Sequence, residues 1–128
     1  MCSSDLKQHG LEEPAALPPA MEIETLGDDF DAGPDAFVDT AAVMQEIDLI
    51  ISCDTSVAHL AGALGRPTWV ALRYAADWRW MIERPDSPWY PTLRLFRQRE
   101  RNKWGAVFTQ MATELQATLH AGVVQRVT

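Results

Sequence analysis

Between Leu49 and Leu72 the chain places two apolar runs on either side of a helical stripe, an order that leaves few folds open. The first run, Leu49-Ile50-Ile51-Ser52-Cys53, is apolar at all but Ser52 and does not alternate, so it reads as a strand buried on both faces. Val57, Leu60, Ala61 and Leu64 then recur at i, i+3, i+4 and i+7, which predicts a helix over 55–64 packed on a sheet. Gly65, followed by Pro67, stops that helix. The second run, Thr68-Trp69-Val70-Ala71-Leu72, reads as another strand. Two strands joined by a crossover helix run parallel, so the segment predicts a βαβ unit and an α/β fold.

Asp54, Thr55 and Ser56 thereby fall at the carboxyl end of a strand and the amino end of a helix. Open α/β sheets bind ligands there, and the free backbone N–H groups and dipole of the helix favour an anion. The N–H groups around Ser56 and Val57, the hydroxyls of Thr55 and Ser56, and His59 one turn further on are the expected donors to a phosphate. Asp54 stands apart, because a carboxylate beside a phosphate repels it. Its expected role is to cap the helix by accepting from N–H groups two or three residues on.

The rest of the chain builds around this unit. Residues 7–20 are rich in Pro and Ala and read as a loop, and Met21 to Leu26 alternates as a short strand would. Residues 28–35 form an acidic loop that contains Asp29-Phe30-Asp31. Its D-x-D spacing could place two carboxylates on a divalent metal, but three residues in an acidic loop do not specify a metal site. Asp39-Thr40 predicts a capped helix through Ile47, with Val43 and Ile47 inward. Residues 73–92 carry three tryptophans, two tyrosines and three prolines without long periodicity. Trp78, Trp80, Trp89 and Tyr90 there read as anchors for an irregular loop or as stacking surfaces for a base or sugar. Leu93 to Phe96 predicts a last strand, and Val107, Met111, Leu115 and Leu119, together with Phe108 and Ala112, the apolar face of a closing helix from Trp104 to residue 119. Residues 120–128 read as a loose tail.

Charge and cysteine usage exclude some functions. Up to Gly65 there are thirteen acidic residues and one basic, whereas Arg66 to Lys103 holds nine basic and four acidic. The net charge of −7 opposes general nucleic-acid binding, while the basic half suits a nucleotide diphosphate. Cys2 and Cys53 form no framework, and Cys53 reads as a small reduced core residue. With no membrane-spanning run and no signal peptide, the expected location is cytoplasmic. No glycine-rich dinucleotide fingerprint, phosphate-binding lysine loop, metal cluster or Ser/His/Asp set is present.

Asp54-Thr55-x-x-x-His59-Leu60-Ala61-x-Ala63-Leu64-Gly65-x-Pro67 resembles the donor-binding signature of heptosyltransferase-like, family 9-type glycosyltransferases, whose GT-B architecture sets two Rossmann-like domains face to face. Asp77-Trp78-Arg79-Trp80, Ser87-Pro88-Trp89-Tyr90-Pro91 and Leu93-Arg94-Leu95-Phe96-Arg97-Gln98 extend the likeness. They are similar to the glycosyltransferase domain at the C-terminus of bacterial tetratricopeptide-repeat proteins. The resemblance implies a Rossmann-like three-layer α/β/α domain over residues 21–119, one half of a GT-B fold. It implies a nucleotide-sugar donor held by Asp54, Thr55, Ser56, Val57 and His59, with Asp54 lining the donor pocket. It also implies no metal or other cofactor and a catalytic base on an opposing N-terminal domain, so no catalytic residue is expected here and the chain alone is expected to be inactive. The heptosyltransferase form of the signature has Gly where this chain has Ser56, a side chain still short enough for a phosphate to approach.

The opening Met1-Cys2-Ser3-Ser4-Asp5-Leu6 resembles the in-frame translation of a sequencing adapter, which predicts that residues 1–6 are an artefact and that the natural protein continues upstream. From a different functional class, the alternative is a non-catalytic module that binds a nucleotide sugar or serves assembly within a repeat protein.

Overall fold

The computed structural model describes residues 26–27, 29–35 and 37–120. The adapter-like residues 1–6, the loop at 7–20, the strand expected from Met21 except for its last residue, and the tail beyond His120 lie outside the described residues. Two compact units divide the chain, Met1–Val43 and Met44–Thr128.

In the first unit a turn leads into helix α1, Val38–Glu46, which continues across the division. The helix starts one residue before the expected Asp39 cap, and the capping carboxylate belongs to Asp31. It accepts from the backbone N–H of Asp39 at 3.1 Å, from that of Thr40 at 3.4 Å and from the Thr40 hydroxyl. Asp39 returns the bond by accepting from the Asp31 N–H at 3.0 Å. The second acid of the D-x-D spacing is thus engaged at a helix start, where a negative charge is favoured.

The second unit is α/β. Strands β1 (Ile50–Cys53), β2 (Thr68–Leu72) and β3 (Leu93–Arg97) form a parallel sheet in that order. Thr68 is in register with both Ile50 and Leu93. β2 lies in the middle, so all five of its residues are buried. Its alternate side chains feed two cores. Val70 and Leu72 pack with Leu93, Leu95, Trp80 and Ala58 of helix α2 (Ser56–Ala63), while Trp69 and Ala71 pack with Phe96 and with Val107 and Met111 of helix α3 (Trp104–His120). A helix on each face makes this the α/β/α arrangement of a Rossmann-like domain.

β1 departs from the expected burial on both faces. Ile50 is buried, Ile51 is 53% exposed and Cys53 is exposed as well, so Cys53 is not a core residue. The cause is position: among the described residues β1 pairs on one side only and has lost the second cover that β2 enjoys. α1 also differs, because it buries Met44 rather than Ile47. Glu46 ends the helix, so the turn that would bring Ile47 under Val43 is not completed.

α2 follows its expected stripe, with Ala61 buried and Val57, Leu60 and Leu64 packed against Met44 and Ile50. Its end closes as a Schellman motif. Gly65, at φ +67°, donates to the Gly62 carbonyl at 3.0 Å, and the N–H of Arg66 reaches the Ala61 carbonyl at 3.0 Å. α3 buries Val107 and Met111 with Leu115 beside them, but Phe108, Ala112 and Leu119, expected on the same apolar face, are exposed. Seventeen helical residues run roughly 25 Å, against roughly 17 Å for the five residues of β3, so the last turn overhangs the sheet.

The connection from β2 to β3 carries only a 3₁₀ turn, Trp78–Trp80, and then lays Tyr90 against α2. A Cβ at Gly62 would lie 2.5 Å from the Tyr90 Cγ and 2.9 Å from its Cβ, too near the backbone for the ring simply to swing aside. Gly62→Ala is therefore expected to destabilise the fold by ~1–3 kcal/mol, the usual range for overpacking, as read from urea unfolding.

Candidate site at the carboxyl edge of the sheet

β1 ends at Cys53 and the chain turns straight into α2, which puts Asp54, Thr55 and Ser56 at the carboxyl edge of the sheet. Thr55 holds the N-cap position with φ −139° and ψ 170°, yet makes no side-chain capping bond. Its hydroxyl lies instead 3.3 Å from that of Ser52. Ser56 is exposed, and Val57 turns its side chain into the core. Among the described residues the N–H groups of Ser56 and Val57 have no acceptor, as expected for the first donors of an uncapped helix.

Asp54 does not cap the helix, contrary to the expectation from its position. Its Oδ1 accepts from the indole Nε1–H of Trp80 at 2.7 Å. The energetics favour this choice, since a hydrogen bond to a charged group contributes about 1.5–3 kcal/mol, against about 1 kcal/mol for an ordinary N-cap. Trp80 is wholly buried, and Arg97 holds it from behind by donating to the Trp80 carbonyl at 3.0 Å and to that of Met81 at 2.8 Å. Burial lowers the pKa of the Arg97 guanidinium from its ordinary value, and the nearby charge of Asp54 opposes that shift.

His59 joins the same group. Its ring stacks on Trp80 with centroids 4.8 Å apart and planes 23° from parallel, and its Nδ1 lies 3.2 Å from the Tyr90 hydroxyl. Trp80 therefore touches two polar side chains of the junction, Asp54 through its N–H and His59 through its face.

Sequence reasoning weighed Trp80 and Tyr90 only as loop anchors or ligand-stacking rings, and missed that they hold Asp54 and His59. The signal lies in no local spacing, because the two bonds span 26 and 31 residues. Trp78 and Trp89 differ from Trp80 in being exposed, at 70% and 54%. Asp77 caps the 3₁₀ turn by accepting from the Arg79 N–H at 3.0 Å. That bond, reinforced by the Arg79 guanidinium and opposed by desolvation, holds the Asp77 carboxyl below its ordinary value of 3.8. Among the described residues no three acidic, histidine or cysteine side chains converge as a metal site would require, and no helix is long and apolar enough to cross a membrane.

The family Glycosyltransferase family 9 (heptosyltransferase) matches residues 30–84, a little under half of the chain. That span holds Asp54, His59 and Trp80 and stops short of Tyr90 and Arg97. The chain is also 32% identical over 78 residues to Protein FlbA of Caulobacter vibrioides, an alignment covering 61% of this chain and 13% of that protein. The chain thus spans only a small part of that relative's length. No solved structure matches it.

Trp80→Phe keeps most of the buried ring but leaves the Asp54 carboxylate without its donor. A loss of ~1.5–3 kcal/mol beyond the packing change is expected in urea unfolding, with a smaller loss for Asp54→Asn, whose amide oxygen still accepts. For Asp77 the sign follows from a lowered pKa: its contribution is present above pH 3.8 and disappears as the pH falls through the lowered value. The Arg79 amide resonance should accordingly titrate with a midpoint below pH 3.8.

Proposed function

We propose that this chain is the donor-binding part of a glycosyltransferase similar to family 9, and that the Asp54–His59 junction receives the diphosphate of a nucleotide sugar. The observation that carries the reading is the state of the α2 N-terminus. It lies at the carboxyl edge of a parallel sheet, and its Ser56 and Val57 N–H groups are left open because the neighbouring carboxylate is drawn to Trp80. The family match across these residues supports that reading.

Glycosyl transfer from such a donor breaks the bond between the sugar and the diphosphate, and charge gathers on the departing phosphate oxygen. A group that donates there is worth more in the transition state than in the ground state. The Ser56 and Val57 N–H groups and the Ser56 hydroxyl are placed to donate, with His59 one turn along the same helix. The helix end contributes ~0.3–1 kcal/mol to an exposed anion and up to ~2 kcal/mol when partly buried, so the side chains must add to it. Asp54, held by Trp80, lines the pocket on the sugar side. The proton of the acceptor hydroxyl is taken by a base on a facing domain, in keeping with a relative far longer than this chain. By the resemblance of its motifs, this domain is part of a bacterial tetratricopeptide-repeat protein. On this reading the chain by itself binds a donor without transferring its sugar.

Titration with uridine diphosphate, followed through backbone amide resonances, tests the assignment. The amides of Thr55 to His59 should move first, and His59→Ala should weaken binding several-fold. Shifts confined to the basic stretch from Arg94 to Lys103, with the junction silent, would overturn it.

A further inference from the structure

The junction contains one side chain whose protonation pattern decides whether it attracts or repels an anion. Neutral imidazole carries a proton on one nitrogen and a lone pair on the other, and the partner of one nitrogen sets the other. Here the Nδ1 of His59 faces the Tyr90 hydroxyl at 3.2 Å. Either atom of that pair can donate in principle. The phenol is the better donor, because its oxygen lone pair is delocalised into the ring, whereas the sp² nitrogen of imidazole is a strong acceptor. Among the described residues the Tyr90 hydroxyl has no other partner, so nothing competes for its proton.

We infer that Tyr90 is a positioning residue that donates to Nδ1 and fixes His59 as the Nε2–H tautomer, so that the imidazole offers a donor rather than a lone pair to a diphosphate. This rests on the reading of the junction as the donor site. The geometry that supports it is over-determined. The His59 ring lies between the face of Trp80, at 4.8 Å, and the edge of Tyr90, at 5.7 Å and 66°. Trp80 is fixed by Asp54 and Arg97, and Tyr90 is seated in the space that a side chain at Gly62 would fill. A ring so held cannot exchange its nitrogens by flipping without losing the stack or the hydroxyl. Nε2 makes no hydrogen bond to any described residue, which leaves its proton available. The family match covers His59 and Trp80 but ends before Tyr90, so the partner that sets the tautomer lies beyond it.

Nitrogen-15 shifts of the neutral His59 ring, measured without ligand, report the tautomer directly. The full chain should show Nε2–H almost exclusively, and Tyr90→Phe, which keeps the ring packed against Gly62, should relax it toward the mixture of an unconstrained imidazole. The same variant should bind uridine diphosphate roughly three- to tenfold more weakly, the loss of one well-placed hydrogen bond. A ring protonated on Nδ1, or populations unmoved by Tyr90→Phe, would overturn the role of Tyr90 while leaving the donor-site reading untouched. If the tautomer responds as expected but uridine diphosphate leaves the Thr55–His59 amides unmoved, the donor-site reading fails, and with it the purpose assigned to the tautomer.

Discussion

The indole of Trp80 donating to the carboxylate of Asp54 is the contact through which the irregular half of this domain is joined to the regular half. The 73–92 connection has only one short helical turn to order it, and a chain of that length costs a large conformational entropy to fix. Trp80 supplies the compensation, since its ring is wholly buried against Ala58, Val70, Leu72, Leu93 and Leu95. Arg97 closes the loop from the end of β3 by gathering two of its carbonyls. With Trp80 in place, Trp89 is tied to the Arg79 carbonyl at 3.0 Å and Tyr90 is delivered to α2. Remove the indole, and the helix that carries the signature loses the wall behind it.

The same bond settles an electrostatic conflict. Two like charges 4 Å apart at an effective dielectric constant of 20 repel by about 4 kcal/mol, more than a helix end supplies to an anion. A free Asp54 at the mouth of α2 would therefore cancel the attraction that the helix offers. Turning the carboxylate to the indole, with the Arg97 charge close by, lets an acid stand next to a helix start whose N–H groups are open. Where Asp54 points matters more than its presence.

The βαβ unit could be read from the sequence because it depends on local periodicity and punctuation. The stripe of Val57, Leu60, Ala61 and Leu64, and the Gly65 stop, needed nothing from distant residues. Burial of β1 was misjudged because composition does not tell an edge strand from a central one, and Ile51 has the same chemistry as Ile50 with an opposite environment. The site was half legible. Its position followed from the strand–helix order, but the partners of Asp54 and His59 lie in a loop whose tryptophans look alike in sequence. Trp78 and Trp80 are two residues apart, one exposed and one wholly buried, and only the packed structure separates them. Gly62, one of two glycines in the stretch Gly62 to Gly65, gave no sign that its missing side chain makes room for Tyr90.

The outward turn of Cys53 at the end of β1 has a practical side. Its thiol is exposed and immediately precedes Asp54, so it stands at the lip of the junction rather than within the core. Cys2 is the other thiol in the chain, and with it replaced a single thiol remains. A small environment-sensitive dye attached there would sit one residue from the carboxylate and three from the first open N–H group of α2. The fold thus comes with its own point of attachment for an optical reporter, next in sequence to the start of α2 and outside its first turn.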